Sequence, residues 1–582
     1  MSESRSALGV TNKNLIDIGG VFKFQMWTIF LVILAMTPGL SSEPINPIKL
    51  TVLAIGACSS SLALISSTKI LYARLGQKIL ASIAIFILLI TISGISSQTS
   101  THKLIYGEWG RNTGLLFYFC LTLIFLVSII VSNPERSLNF YRCLIWAGLL
   151  NTTYMVVQAL DLDPVKWEVN QTFGFTGNLN FASSLTSVYA ILVTAWIIDK
   201  RGSWFNRTSL AISAVTGLII IFRSGSLQGL IQFILGLICF WIFKDVHARK
   251  TKLITKFRGL IVSLVLLGTT LGIIATSFPN FFSGIFFQQT MGYRRDYWIA
   301  GLGMIKSNPL SGIGVDNYGN FYHQYRPESA AVDNYLRQSN TAHSIVLDIG
   351  SNYGILAVLF YISFLSYILF CIVKTLGSNS ENTLLIGLGS IWISLQIQNF
   401  IGINQATTGV LTWFIGGTFV SLYRGRKNLD SRKVLIANKP NLNRAISKSS
   451  ENLMSSSGFV RAMIGAVIGT ILVAPLLYGD ITFQKARNKQ DFTTMTSVAG
   501  NSLIGNQTMM EFVVSDLVGR SQAEQGLAAA KRLVNLYPRS VYGWRVIASL
   551  KVTSEADRQW AMRQFELLDP YGFKYATQAI GN

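Results

Sequence analysis

Acidic side chains are scarce in this 582-residue chain: 27 Asp and Glu stand against 49 Lys and Arg, and charged residues of both signs make up only 13%. So little charge excludes a solvated, disordered polyelectrolyte, and with 50% hydrophobic residues it argues against a soluble globule as well. Cysteine (5) and histidine (4) are equally sparse. Cys58, Cys120, Cys143, Cys239 and Cys371 all lie in apolar runs or at their ends, so no external disulfide framework is implied, and no Cys-x-x-Cys pair points to a metal. The opening MSESRSALGVTNKNLIDIGGVF lacks a short apolar core followed by a small-residue cleavage site. No removable signal peptide is expected from it, and the first span reads as an uncleaved anchor.

What the chain has in abundance is apolar runs. A bilayer core takes about 20 apolar residues per helix, and such runs recur near 24–40, 48–66, 79–96, 113–132, 142–160, 178–198, 207–222, 226–243, 259–278, 345–373, 383–400, 407–423 and 460–478. The expected fold is an all-α polytopic membrane protein with about 12 to 13 transmembrane helices. Lys and Arg gather in alternate connections, at Lys69, Arg74 and Lys78, at Arg136 and Arg142, at Lys200, Arg201 and Arg207, in KDVHARKTKLITKFR (244–258), and from Arg424 to Lys448. Positive charge is retained on the cytoplasmic side, which places these connections and the N-terminus there. Most of the +22 net charge is thereby a topology signal, aided by anionic membrane lipids. No aromatics interleave with the bases as a nucleic-acid groove requires, so nucleic acid is not an expected partner.

This orientation leaves polar chemistry to the segments near 97–112, 161–177 and 223–225, to the long loop 279–343, and to a tail from 480. The expected organisation is a membrane region over 1–423, a basic, flexible cytoplasmic linker at 424–459, a last span at 460–479 and an extracytoplasmic helical tail at 480–582. In the tail, Tyr537-Pro538 is echoed by Asp569-Pro570, close to the period of about 34 residues of tetratricopeptide helix pairs. That TPR-like region would suit a partner protein or an acceptor, or brace the loop. Within the loop, Arg294 to Lys306 has helical periodicity, with Trp298, Leu302 and Ile305 on one face and Arg294 one turn before Trp298. Pro309, Gly312 and Gly314 then end the helix. Periodicity alone reads this as an interfacial helix with Trp298 as anchor and its arginines on lipid headgroups.

Three blocks of sequence resemble the O-antigen ligase and polymerase superfamily, which includes bacterial protein O-oligosaccharyltransferases. The stretch YRRDYWIAGLGMIKSNPLSGIGVDNY is similar to the family's pattern of an arginine four residues before a tryptophan, followed by Pro-x-x-Gly-x-Gly: here Arg294, Trp298, Pro309, Gly312 and Gly314. QTFGFTGNLNFASSLT (171–186) resembles its Gly-x-x-x-Asn-Pro-Asn-x-x-Ala element at Gly174, Asn178, Asn180 and Ala182, with Leu179 where proline is usual. SNTAHSIVLDIGSNYG (339–354) is similar to its His-Asn-x-x-Leu run ending in Glu-x-Gly: His343, Leu347 and Gly354 match, while Ser344 and Asn352 replace the asparagine and the glutamate. A fourth and poorer match is FRSGSLQG (222–229), which resembles the Ser-Arg-Gly turn but has Arg223 preceding Ser224 instead of following it.

The resemblance implies a GT-C-like membrane glycosyltransferase of the bacterial inner membrane that takes no cofactor. Its donor would be a glycan on a polyprenyl diphosphate, and its acceptor a hydroxyl of a lipid core, another glycan or a protein. Negative charge grows on the leaving diphosphate, and arginine forks stabilise it. Arg294 and Arg295 lead this role, with Arg223 and Arg111 second; headgroup contact is the competing reading of each. The acceptor hydroxyl needs a proton acceptor, which points to His343 as base or as a binding group, against an interfacial histidine on a helix end. Asp161, Asp163 and Glu168 read as a loop turn instead of a metal site, His102 and His323 lack ligand-spaced neighbours, and no metal is expected. The single His343, without a paired histidine, favours a ligase over a protein-glycosylating enzyme. A transporter or flippase would show duplicated halves, which this sequence lacks.

Overall fold

The computed structural model describes residues 18–97, 99–167, 171–248, 289–377, 382–436 and 456–581. The expected span at 259–278 and most of the basic stretch 244–258 lie outside these residues, as do the first 17 residues. Every regular element among the described residues is a helix. Among the described residues, six helices are long and apolar enough to cross a membrane: Ile70–Ser96, Leu179–Ile198, Trp204–Arg223, Leu227–Asp245, Ile355–Gly377 and Gly458–Lys489. Ile18–Leu34 and Leu115–Val131 are apolar but shorter.

Helix ends follow local chemistry. Asn133 accepts from the Arg136 amide ahead of Pro134, and Ser203 accepts from the Asn206 amide, so each helix begins at a side-chain oxygen that satisfies an otherwise orphaned N–H. Small residues set the closest approach. A Cβ on Gly465 or Gly469 would lie 2.5 or 2.7 Å from backbone atoms of Cys58 and Ile55, so Ser456–Lys489 lies directly on Asn46–Ala63 through a Gly-x-x-x-Gly face.

Several boundaries differ from expectation. The run at 345–373 is two helices, Ile345–Tyr353 and Ile355–Gly377, divided at Gly354 with φ 84°. Residues 424–436, expected in the linker, continue the helix Ala406–Ile436, because the lysines and arginines there are good helix formers once a span precedes them. The last span runs on to Lys489. The arginine helix, Gln289–Ser307, forms as expected, but its buried side carries Ala300 and Met304 with Tyr297 beside them, whereas Leu302 is 56% exposed. Apolar periodicity cannot tell a face turned to lipid from one turned to protein, and Ala300 and Gly301 provide the closer approach.

The tail has a core of its own, built on Val513, Leu533, Val541 and Phe565. Its helices pair as Gln507–Gly519 with Ala523–Leu536 and Val541–Ser549 with Glu555–Leu568. Trp109 packs into this core, and the buried Arg326 donates to both oxygens of Asp569 at 2.8 Å, joining loop to tail.

Candidate functional site

The fold brings the sequence blocks together around one loop. Asp348, on the helix Ile345–Tyr353, accepts from Thr341 Oγ1 at 2.5 Å and from the Ala342 amide at 2.7 Å. The His343 amide donates to Thr341 Oγ1 at 3.1 Å. This grip holds His343 at φ 51°, a left-handed conformation that costs a residue with a Cβ about 1–2 kcal/mol. Its ring stacks on Tyr297 of the arginine helix, with centroids 5.1 Å apart and planes at 22°.

The Pro-x-x-Gly-x-Gly segment straps this histidine helix from the other end. Ile313 and Gly314 amides donate to the carbonyls of Ser351 and Asn352 at 2.8 and 3.0 Å, and Ile355 N donates to Pro309 O at 2.8 Å. Such contact needs bare backbone. A Cβ on Gly312 (φ 65°) would lie 2.4 Å from Asn352 backbone, and one on Gly314 (φ 101°) 2.0 Å from Ser97 Oγ.

Arg294 Nη2 donates to Gln228 Oε1 at 3.0 Å, connecting the arginine helix to the turn that opens Leu227–Ala248. Two residues earlier, Ser226 Oγ donates to Ser183 Oγ at 2.8 Å and to Asn180 Oδ1 at 3.2 Å. Asn178 caps Leu179–Ile198 by accepting from the Asn180 amide, and Gly174 (φ 55°) abuts Asn151, whose Oδ1 accepts from Phe175 N at 3.0 Å. The blocks at 174–182, 222–229, 294–314 and 339–354 therefore form one bonded neighbourhood.

Electrostatics within it are uneven. Burial, and then the positive charges of Arg294 and Arg111, push His343 down from 6.5 to about 4, so the ring is neutral at neutral pH. Burial raises Asp348 to about 6, against the opposing pull of Arg111 and its two donors. Burial also lowers Arg294. A neutral proton acceptor beside a half-buried cation suits an anionic ligand that brings a hydroxyl with it.

The other expected cations are placed differently. Arg111 is buried in an ion pair with Asp316, a carboxylate that also accepts from Glu108 N at 2.7 Å and Thr113 Oγ1 at 2.8 Å. It reaches the site through its charge, not as an open fork. Arg295 is half-buried beside Asp296, and its side chain makes no hydrogen bond to a described residue. Arg223 is exposed at the end of Trp204–Arg223 and does not join this neighbourhood through any bond among the described residues. The Trp298 indole N–H is buried without a partner among the described residues.

Asp163 is filled by Tyr154, Gln158, Trp167 and the Val165 amide, so it organises its loop as a turn; Glu168 lies outside the described residues. His102 packs on Tyr106, and His323 Nδ1 sits 3.1 Å from Asp569. Sequence reading missed Asp348, Asp316, Gln228 and Tyr297. A lone acid inside the apolar run SIVLDIG is a signal for Asp348, because a buried carboxylate has to be held by donors. The amides of Gln232 and Gln405, each 1% exposed, have no partner among the described residues, and nothing in their spacing announced them.

Residues 212–362 match the family model described as O-Antigen ligase. The match spans the arginine helix, the glycine strap and the histidine loop. No curated protein matches the chain.

Proposed function

We propose, from the premise that the chain belongs to the O-antigen ligase/polymerase superfamily, that it moves a glycan from a polyprenyl diphosphate to an acceptor hydroxyl outside the cytoplasm. The observation that supports this most is His343, neutral and held in a strained loop, within the field of Arg294. In the step, the bond between the anomeric carbon and the diphosphate oxygen breaks and its electron pair leaves with the diphosphate. The acceptor oxygen bonds the anomeric carbon, and its proton passes to the His343 ring. Arg294 faces the growing charge, with Arg295 as the second cation; Arg111 holds the loop and tunes the histidine.

Arg294 also suppresses the basicity of His343 until a ligand arrives. A bound diphosphate pairs that cation and adds negative charge, so the charge part of the depression is relieved and the histidine becomes more basic, while the larger part due to burial stays. The fold is read as GT-C-like with about 12 to 13 spans, set in a bacterial inner membrane with the N-terminus cytoplasmic and the TPR-like tail outside. Among acceptors, a lipid core is favoured, making the enzyme ligase-like. Repeat-unit polymerisation and protein glycosylation share the same local chemistry.

Deleting the gene separates these acceptors: loss of capped lipid core with normal lipid-linked polymer supports ligase, and accumulated single repeat units support polymerase. With purified protein and lipid-linked donor, His343→Ala and Arg294→Ala are each expected to lower transfer by about 10²-fold or more. Full transfer by both variants sinks the site.

A further inference from the structure

The tail and the loop line a cavity of about 210 Å³, part apolar and part polar, that the transfer step does not use. Asn320, His323 and Gln338 line it from the loop; Gln507, Tyr542 and Arg545 line it from the tail. Most charged groups on its walls are already engaged. Arg539 donates to Asn320 O at 3.1 Å and to Gln324 Oε1 at 2.5 Å, and Glu511 accepts from Gln507 Nε2 and Ser540 Oγ, both at 2.8 Å. Asp569, behind His323, is shared with Arg326.

Arg545 is the exception. Its guanidinium lies 5.7 and 5.8 Å from the ring centres of Tyr335 and Phe565 and makes no hydrogen bond or ion pair with a described residue. The Oε1 of Gln507, 8% exposed, is likewise buried without a donor. A half-buried cation oriented by aromatic faces, next to unfilled amide groups and a tyrosine, calls for a ligand with one negative charge and several hydroxyls. A cavity of this size is smaller than the roughly 300–1,000 Å³ of a drug-sized site, which restricts the occupant to a sugar unit or two.

The cavity also lies just behind the transfer site. Tyr297, which stacks on His343, meets Tyr322 edge-on at 5.6 Å, and His323 follows on the cavity side. Gly319 backs directly on Asn340, where a Cβ would lie 3.2 Å from its Cα. Resting on the proposed transfer of glycans, we infer that this cavity is a saccharide subsite that holds an acidic sugar of the growing or transferred glycan, with Arg545 on its carboxylate. The tail thereby becomes part of the glycan-binding surface.

The full-length protein in lipid nanodiscs can be titrated with a disaccharide carrying one glucuronic acid and with its neutral glucose counterpart, following binding by calorimetry and saturation-transfer NMR. Wild type is expected to prefer the acidic sugar by about tenfold or more, the worth of a charge-assisted hydrogen-bond pair. Arg545→Gln should erase that preference and Arg545→Lys retain part of it. Gln338→Ala, an exposed change on the opposite wall, should weaken both sugars without touching the Arg545 packing. Equal affinity of wild type and Arg545→Gln for the acidic sugar, or no binding of either sugar by wild type, overturns the inference. Transfer from lipid-linked donor is assayed on the same preparation: sugar binding without transfer removes the proposed function alone, and transfer without sugar binding removes the subsite alone.

Discussion

At the scale of single residues the site depends on how two titrating groups are held. His343 is pushed to about 4 and Asp348 to about 6, each by burial first. For His343 the sign is that of a base whose charged form is penalised in the fold: the neutral ring persists as pH falls through the ordinary histidine range, and protonation there costs stability only below the unfolded value. In the free enzyme, kcat/KM for transfer should therefore hold until two acid limbs appear, one near 6 from Asp348 and one near 4 from His343. The limb of kcat assigned to His343 should lie higher if, as proposed, donor diphosphate pairs with Arg294. Asp348→Asn should delete the limb near 6 and leave that near 4. A kcat limb for His343 at or below its kcat/KM limb would contradict the pairing of donor with Arg294. His343 itself was legible in the sequence as a polar residue at the start of an apolar run. Asp348 was signalled only as a lone acid in an apolar run; its partners, Thr341 and the Ala342 amide, were not, since they meet it only once the loop folds back.

At the scale of elements, the glycine strap over 309–314 is what fixes the histidine helix. It needs two residues at positive φ and backbone-to-backbone contact with 351–354. Gly312→Ala places a Cβ 2.4 Å from Asn352 backbone. The strained φ alone costs roughly 1–3 kcal/mol, and the overlap adds to it. The expected result is a lower unfolding midpoint together with transfer reduced by about 10²-fold, as a displaced histidine implies. Unchanged transfer and melting would show that the strap is not needed to hold the site. The strap was readable as a helix stop, because proline and glycine interrupt helices locally. That it would clasp a segment some 40 residues later was not, because hydrogen-bond partners outside a helix carry no periodic signal.

At the scale of the whole molecule, the tail is anchored to the loop that carries the site. Arg326, 1% exposed, donates to both oxygens of Asp569 at 2.8 Å, and Lys574 and Tyr575 reach Glu328 at 2.7 and 2.9 Å. Removing one partner of a buried pair leaves a charge unpaired, at about 3–5 kcal/mol. Arg326→Met is accordingly expected to loosen the tail, seen as faster limited proteolysis between 489 and 507 and a lower melting temperature. If the proteolysis pattern is unaltered, the pair does not clamp the two together. The sequence showed the tail as a set of helices through its small residues and leucines, but gave no sign that it would share a buried arginine with the loop.

Composition and periodicity determined that the chain is helical and membrane-bound, since apolar length and the absence of charge act locally, residue by residue. The motif blocks, including His343, Arg294 and the strap glycines, were likewise present in the linear order of residues. Only the tertiary structure decided which cation faces the histidine, which is consumed by Asp316, and which lies apart at the end of its helix, because each depends on distances across hundreds of residues. The break at Gly354 and the buried side of the arginine helix were decided there too. In a chain whose apolar faces can turn to lipid or to protein alike, burial is settled by close approach of small residues and not by hydrophobicity.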